Sequence, residues 1–240
     1  MKVGVLGTGT IATAVVRGIA ADQHFITVSE RSADNAATLS AEFSNVSVAS
    51  NQQVLDCSDV ILLGLMPDIA PSVLGELEFY SRHRVISMIA DIPLDTLGPM
   101  VSPALVDSII IPYPSIAYGG SPLILLGDGT IATSLVGDRN SIYRVESLSE
   151  LQAYLCAQSV LSPVTRLVGD ASVWLGSKVE DRQQAERFLR ELVSSSLSAS
   201  DCENLIEALN TPGGYNQRLR LHMEGRGIRS DLIDGLDDLA

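Results

Sequence analysis

Gly7-Thr8-Gly9-Thr10-Ile11-Ala12 has the residue types and spacing to hold a diphosphate. Gly7 permits a tight turn, Gly9 lets an anion approach the backbone, and Ala12 lets a following helix pack closely on a strand. The N-terminus of that helix then faces the anion with its unpaired N–H groups and the positive end of its dipole. The same spacing also fits an ordinary glycine turn, so the flanking elements decide between the two. A second group closes the next β-rich run, Ser29-Glu30-Arg31-Ser32. Glu30 stands roughly 20 residues beyond Gly7, where a carboxylate can accept from a ribose 2′-hydroxyl and select NAD. Arg31 with Ser29 and Ser32 can instead hold a 2′-phosphate, which favours NADP. A surface ion pair between Glu30 and Arg31 is the plain alternative.

The elements around these residues supply the context. Lys2–Leu6 reads as a strand and Thr10–Ala21 as a helix, followed by a strand at Phe25–Ser29 and a helix from Ser32 to Phe43. A short Val46–Val48, a helix at Asn51–Asp56 and the apolar run Asp59–Met66 come next, and Pro67 closes that run. Ile69–Leu77 suits a helix, Arg84–Ala90 a fifth strand, Leu94–Met100 a helix and Leu105–Ile111 a sixth strand. The runs are apolar throughout, as in parallel strands covered on both faces. Strand and helix in alternation predict an α/β, Rossmann-type doubly wound sheet over residues 1–145. Ser121–Leu126 and Ser141–Val145 extend it around a Gly-rich connection, and no internal repeat is apparent.

From Ser147 onward the pattern is helical. Ser147-Leu148-Ser149-Glu150 and Ser200-Asp201-Cys202-Glu203 fit the capping box, and Lys178–Leu197 is amphipathic, with Phe188, Leu189, Leu192 and Val193 on one stripe. Residues 146–240 are therefore expected to form an all-α domain that buries its apolar face against a second copy, giving a homodimer or a higher homo-oligomer.

Composition excludes several classes. The 240 residues carry 29 acidic against 16 basic side chains, a formal net charge of -13. Neither half is net basic, so nucleic acid is a poor partner. Charged residues make up 19% of the chain against roughly 25% in ordinary domains, which argues against disorder. Cys57, Cys156 and Cys202 are too few and scattered for a disulfide framework or a zinc site, so no metal is expected. The start lacks the apolar core of a signal peptide, and no run reaches the ~20 residues that span a bilayer. A cytoplasmic protein with no membrane partner is the expectation.

Four polar residues are candidates for chemistry beyond the diphosphate. Asp91 follows the fifth strand, on the sheet edge where open α/β sheets bind ligands, and can hold an ammonium or iminium group or cap the next helix. Tyr113 and Tyr118 flank a Pro/Gly-rich loop, where they can close over a nicotinamide, donate a proton or simply pack. Asn216 follows two glycines and can serve as a helix N-cap. His24, His83 and His222 are expected to face solvent. Lys178 lacks the surrounding glycines and following Asn of the β-hydroxyacid dehydrogenase lysine, and reads as a solvated helix charge.

At Gly7–Ala12 and beyond, the chain resembles the pyrroline-5-carboxylate reductase family over nearly its whole length, as a divergent member. Asn51 matches the family's Asn before the fourth strand. Gly64-Leu65-Met66-Pro67 takes the place of its A-V-K-P, and Ser87-Met88-Ile89-Ala90-Asp91 that of S-x-A-A-G. Ile111-Pro112-Tyr113-Pro114-Ser115-Ile116 aligns with its M-P-N-T-P-A loop. Thr211-Pro212-Gly213-Gly214-Tyr215-Asn216 aligns with S-P-G-G-T-T. The resemblance implies a cofactor site formed by Gly7–Ala12, Ser29, Arg31, Ser32, Asn51, Leu65, Met66, Pro67 and Ala90. Taken with the polar candidates read from the residues themselves, it leaves Tyr215, Asn216 and Tyr118 as expected substrate contacts and Tyr113, Asp91 and Asn216 as expected catalytic residues.

Departures fall mainly at the substrate end. Tyr215 and Asn216 replace the family's paired Thr, and G-S-G-P-A-Y survives only as Val160-Leu161-Ser162-Pro163-Val164-Thr165. Met66, Asp91 and Tyr113 replace a Lys, a Gly and an Asn. The resemblance implies NAD(P)H-dependent reduction of a small cyclic imine, with 1-pyrroline-5-carboxylate, and hence proline biosynthesis, as the first candidate. Reduction of another imine or a keto compound, and a non-catalytic NAD(P)-binding sensor or partner protein, are the alternatives.

Overall fold

The apolar runs of the first half become one eight-stranded sheet. Its strands are β1 (Lys2–Leu6), β2 (Phe25–Ser29), β3 (Val46–Ala49), β4 (Val60–Leu63), β5 (Arg84–Ser87), β6 (Leu105–Pro112), β7 (Pro122–Gly127) and β8 (Ser141–Val145). The computed structural model describes residues 1–240, and the strands lie in the order β3-β2-β1-β4-β5-β6-β7-β8. All neighbours pair in parallel except β6 and β7. The order reverses between β1 and β4, which puts a crevice beyond the carboxyl end of β1.

Helices α1 (Thr10–Ala20), α2 (Ala33–Glu42), α3 (Asn51–Asp56), α4 (Ala70–Gly75), α5 (Leu94–Met100) and α6 (Thr130–Val136) cover the sheet. Val3, Val5, Val28, Leu62 and Ile86 form one core layer with α1, α2 and α6. Leu6, Ile61, Leu63 and Val85 form the other with α3, α4 and α5. Both faces are thus apolar, which is why the strands read as continuous hydrophobic runs. Within α1, Val15, Val16 and Ile19 are essentially buried, each contributing roughly 2 kcal/mol. Gly18 on that helix meets a close neighbour: a Cβ there would lie 2.5 Å from the Ile116 carbonyl oxygen, on the 3₁₀ turn Pro114–Ala117.

Several boundaries differ from the sequence reading. The run Asp59–Met66 yields only β4, and Arg84–Ala90 only β5. Leu65 and Ile89 remain buried beyond the strand ends, so these apolar runs continue into packed connections. Met88 N–H still reaches the Leu63 carbonyl, and Ile89 N–H then turns to the Ser87 hydroxyl.

The Gly-rich connection after β7 contains α6, and it repeats the first turn. Gly127-Asp128-Gly129-Thr130-Ile131-Ala132-Thr133 parallels Gly7-Thr8-Gly9-Thr10-Ile11-Ala12-Thr13, so the expected absence of a repeat is corrected. Both copies close their helix alike, Thr13 N–H bonding Gly9 O at 2.9 Å and Thr133 N–H bonding Gly129 O at 2.8 Å. Because β7 runs against β6, the second turn lies at the opposite edge of the sheet. There the buried Asp107 of β6 accepts from the N–H groups of Ile131 at 3.0 Å and Ala132 at 3.3 Å, and from the Ser108 hydroxyl at 2.9 Å.

The chain divides into two compact units, Met1–Leu151 and Gln152–Ala240, and α7 (Leu148–Ala157) spans the division. The second unit holds α8 (Leu161–Gly176), α9 (Arg182–Ala199), α10 (Cys202–Ala208), α11 (Tyr215–Glu224) and α12 (Ile228–Asp237), with α8 and α9 packed together. The doubly wound α/β reading of the first half and the helical reading of the second are borne out. At α7, Ser147 Oγ accepts from Glu150 N–H, but the Glu150 carboxylate reaches Glu146 N–H, one residue before the expected partner. At α10 the cap is Asp201, one residue beyond the expected Ser200, and it accepts from Asn204 N–H at 3.0 Å. Lys178 sits in the turn between α8 and α9 rather than on a helix, because Asp181 caps α9.

Candidate functional site

The first Gly-rich turn opens at the crevice between β1 and β4. Gly7 has φ +90°, a left-handed conformation that penalises side chains, and a Cβ there would stand 2.4 Å from the Gly64 carbonyl oxygen. Its N–H donates to the hydroxyl of the fully buried Ser29 at 2.8 Å. Gly64 in turn approaches Ala12 and Met88 so closely that its own Cβ would lie 2.8 Å and 3.3 Å from them. Gly7, Ala12, Gly64, Leu65 and Met88 are therefore brought together, as the spacing of the fingerprint requires.

Gly9 is different. It has ordinary extended backbone, is exposed, and a Cβ there would meet nothing within 4 Å. Gly9, Thr10 and Ile11 find no acceptor for their N–H groups, α1 has no side-chain cap, and no acidic residue lies in its first turn. Open space, free donors and the positive end of an 11-residue helix fit the diphosphate of a dinucleotide.

At the end of β2, Ser29 serves the turn and is closed off from solvent, which removes it from the expected 2′-phosphate cluster. Ser32 precedes α2, half-buried, and its carbonyl receives the Thr8 hydroxyl at 3.4 Å. Glu30 and Arg31 are exposed and make no ion pair with each other. Asn35, which the sequence reading passed over, donates to the Thr8 carbonyl at 2.6 Å. Its only signal was a polar amide in the first turn of α2.

The remaining candidates in this unit lie on connections that leave the same sheet edge. Asn51 opens α3 behind the Ser50 cap. Leu65 is buried, Met66 is exposed and Pro67 is half-buried. Ala90 is half-buried and Asp91 exposed in the turn after β5; Pro93 precedes α5, so Asp91 is not its cap. Tyr113 is half-buried, and burial raises its phenol above the usual tyrosine range, so the O–H is retained at neutral pH. Tyr118 is 85% exposed. His83 corrects the solvent-facing expectation: it is fully buried, accepting Tyr80 N–H at Nδ1 and placing Nε2 3.1 Å from the Leu55 carbonyl.

Tyr215 and Asn216 belong to the second unit. Gly214 is the N-cap of α11, so Tyr215 and Asn216 are its first two residues and Asn216 is not the cap. Both are exposed, Tyr215 at 90%. Gly213 has φ +76° and its N–H bonds Gln217 Oε1 at 2.8 Å, which fixes the turn before the helix.

The sheet order and the open Gly-rich turn define a Rossmann-type, dinucleotide-binding fold. Residues 2–91 match the family described as NADP oxidoreductase coenzyme F420-dependent. Pyrroline-5-carboxylate reductase 2 of Bos taurus is 22% identical over 259 residues, spanning 99% of this chain and 81% of that protein. The solved 1-pyrroline-5-carboxylate reductase of Streptococcus pyogenes has a TM-score of 0.84 at 22% identity, covering 100% of this chain and 96% of that one. A Plasmodium falciparum pyrroline carboxylate reductase with NADP bound also reaches 0.84, at 17% identity, over 100% and 95%. An imine reductase from Pseudomonas sp. reaches 0.61 at 16% identity, over 98% and 87%. The recognition of a divergent relative of the pyrroline-5-carboxylate reductases is borne out.

Proposed function

We propose that the chain is an NADPH-dependent reductase of a small cyclic imine, with 1-pyrroline-5-carboxylate as the first substrate to test. The observation that carries this reading is the turn at Gly9–Ile11, with free N–H groups, open space and no acid of its own, in a chain that follows the fold of these reductases from end to end. NADP is favoured over NAD by Arg31 at the end of β2 and by the NADP in the Plasmodium falciparum relative.

The nicotinamide, when bound, supplies the hydride. The chain's contribution is orientation and exclusion of water. Gly9, Thr10 and Ile11 hold the diphosphate, Arg31 and Ser32 the 2′-phosphate, and Asn51, Leu65, Pro67 and Ala90 flank the cofactor. A cyclic imine basic enough to arrive protonated carries its nitrogen proton already, so reduction at carbon needs no obligatory acid. Tyr113, which keeps its proton, can supply one to a less basic imine, and Asp91 can face the iminium charge. Within the second unit, the N–H groups of Tyr215 and Asn216 at the start of α11 have no acceptor and can receive a carboxylate.

A homodimer through the second unit is part of this reading. Val173, Trp174, Phe188 and Leu219 are more than half exposed, an apolar surface that a second copy would cover. Sedimentation of the purified chain tests it, a monomer at micromolar concentration being the contrary result.

The activity is tested by NADPH and NADH oxidation with 1-pyrroline-5-carboxylate and 1-piperideine-2-carboxylate. Saturable turnover of the first supports the proline-pathway reading; turnover of the second alone moves the substrate. A second reading, a non-catalytic NAD(P)-binding sensor, is favoured by Met66, Asp91 and Tyr215 standing where the family has Lys, Gly and Thr. Tight NADPH binding with no turnover on either imine would favour it.

A further inference from the structure

The peptide joining Thr8 to Gly9 is held from outside the turn. Its carbonyl oxygen, on the fully buried Thr8, accepts from Asn35 Nδ2 at 2.6 Å and from Thr13 Oγ1 at 3.3 Å. A carbonyl can only accept, so the amide nitrogen of Asn35 faces it. The bond is trans, and a trans planar peptide points its N–H opposite to its C=O. With the carbonyl tied to α2, the Gly9 N–H is aimed away from the protein and into the open space of the turn, where it has no acceptor.

Nothing else in the turn holds this orientation as firmly. A flip of that peptide changes ψ of Thr8 and φ of Gly9, and glycine tolerates either sign of φ. After a flip the carbonyl oxygen would replace the N–H and repel an anion. Asn35 donates the shorter of the two bonds that oppose it. It is also the third residue of α2, whose first turn follows Arg31 and Ser32, yet its side chain is spent on Thr8.

We propose that Asn35 is a positioning residue for the diphosphate of a dinucleotide: it locks the Thr8–Gly9 peptide so that the Gly9 N–H faces the anion. This rests on the dinucleotide reading of the turn. Because its target is the diphosphate, its effect is shared by NADPH and NADH, whereas that of Arg31 is confined to ligands carrying a 2′-phosphate.

Calorimetric titration of the full-length chain with NADPH, NADH, ADP and 2′-AMP tests it, with the melting temperature read in parallel. Asn35→Leu keeps the size and removes the donor, and Asn35→Asp leaves only acceptors. Both are expected to weaken NADPH, NADH and ADP by a similar factor, about tenfold, the loss of one hydrogen bond of roughly 1.4 kcal/mol. Binding of 2′-AMP should stay unchanged, and Asn35→Gln, still a donor, should recover most of the loss. Unchanged NADPH and NADH affinity in Asn35→Leu overturns the proposal, as does a loss confined to NADPH, which would move Asn35 to the 2′-phosphate. A parallel fall of all four ligands together with the melting temperature would make the role structural and overturn it too. Failure of the unmodified chain to bind any of the four ligands would instead remove the dinucleotide reading itself.

Discussion

The turns at Gly7–Thr13 and Gly127–Thr133 share six of seven residues and both lead from a strand into a helix. Their surroundings part them. Beside the first turn the neighbouring strand β4 is followed by Gly64, which brings no side chain, and the donors of Gly9, Thr10 and Ile11 stay open. Beside the second, β6 contributes Asp107, whose carboxylate takes the N–H groups of Ile131 and Ala132. One copy keeps its place for an anion from outside, and the other carries the anion in its own chain. A glycine fingerprint is thus completed by what the adjacent strand leaves empty, not by the fingerprint alone.

Substitutions can break this contrast. The largest effect is expected from Asp107→Ala, which strands the buried Ala132 N–H and the half-buried Ile131 N–H and should lower stability by about 4 kcal/mol in urea unfolding. A loss under 1 kcal/mol would mean that the carboxylate is not the partner these donors need. Gly7→Ala sets a Cβ against the Gly64 carbonyl at positive φ and should cost about 3 kcal/mol by the same measurement. Gly9→Val sharpens the point, since only a ligand fills the space beside Gly9. Stability should move by less than about 1 kcal/mol while NADPH affinity falls at least ~100-fold, close to 3 kcal/mol. Affinity kept in this variant would refute the fingerprint.

Arg31→Ala should weaken NADPH about tenfold and leave NADH nearly unchanged, as equilibrium titrations with both would reveal. Equal losses would put the 2′-phosphate elsewhere. The smallest effect belongs to His83, far in sequence from both turns. Burial lowers its pKa in the folded state below the ordinary histidine value of about 6.5. The neutral ring is therefore favoured in the folded state, and its contribution is complete above pH 6.5. It is lost as pH falls, because the unfolded chain takes up the proton first. His83→Gln should flatten that acid-side decline; an unaltered slope would assign it to other groups.

Much of the fold was legible because its signals are local. The helix read at Asn51–Asp56 is α3, where Ser50 and Gln53 cap each other, and β1 and β2 followed from apolar runs bounded by turns. The ends of β4 and β5 were not, because Leu65 and Ile89 are buried without being strand, and hydrophobicity reports burial rather than pairing. The Leu55 carbonyl beside His83 and the Thr8 carbonyl that receives Asn35 lie 28 and 27 residues away in sequence, so neither contact has a local signature. The second turn was visible as residues but not as a repeat, since Asp128 and the reversed direction of β7 disguised its likeness to the first.

The close approach of Gly18 to the Ile116 carbonyl has a mechanical consequence. One end of α1 opens at the first Gly-rich turn, and nine residues beyond Gly9, about 13 Å along the axis, Gly18 of the same helix meets the loop between Tyr113 and Tyr118. The helix therefore acts as a gauge, fixing the spacing between the Gly-rich turn and the tyrosine loop by its own rise. A methyl group at residue 18 would push the tyrosine loop off the side of the helix while leaving the Gly-rich turn untouched.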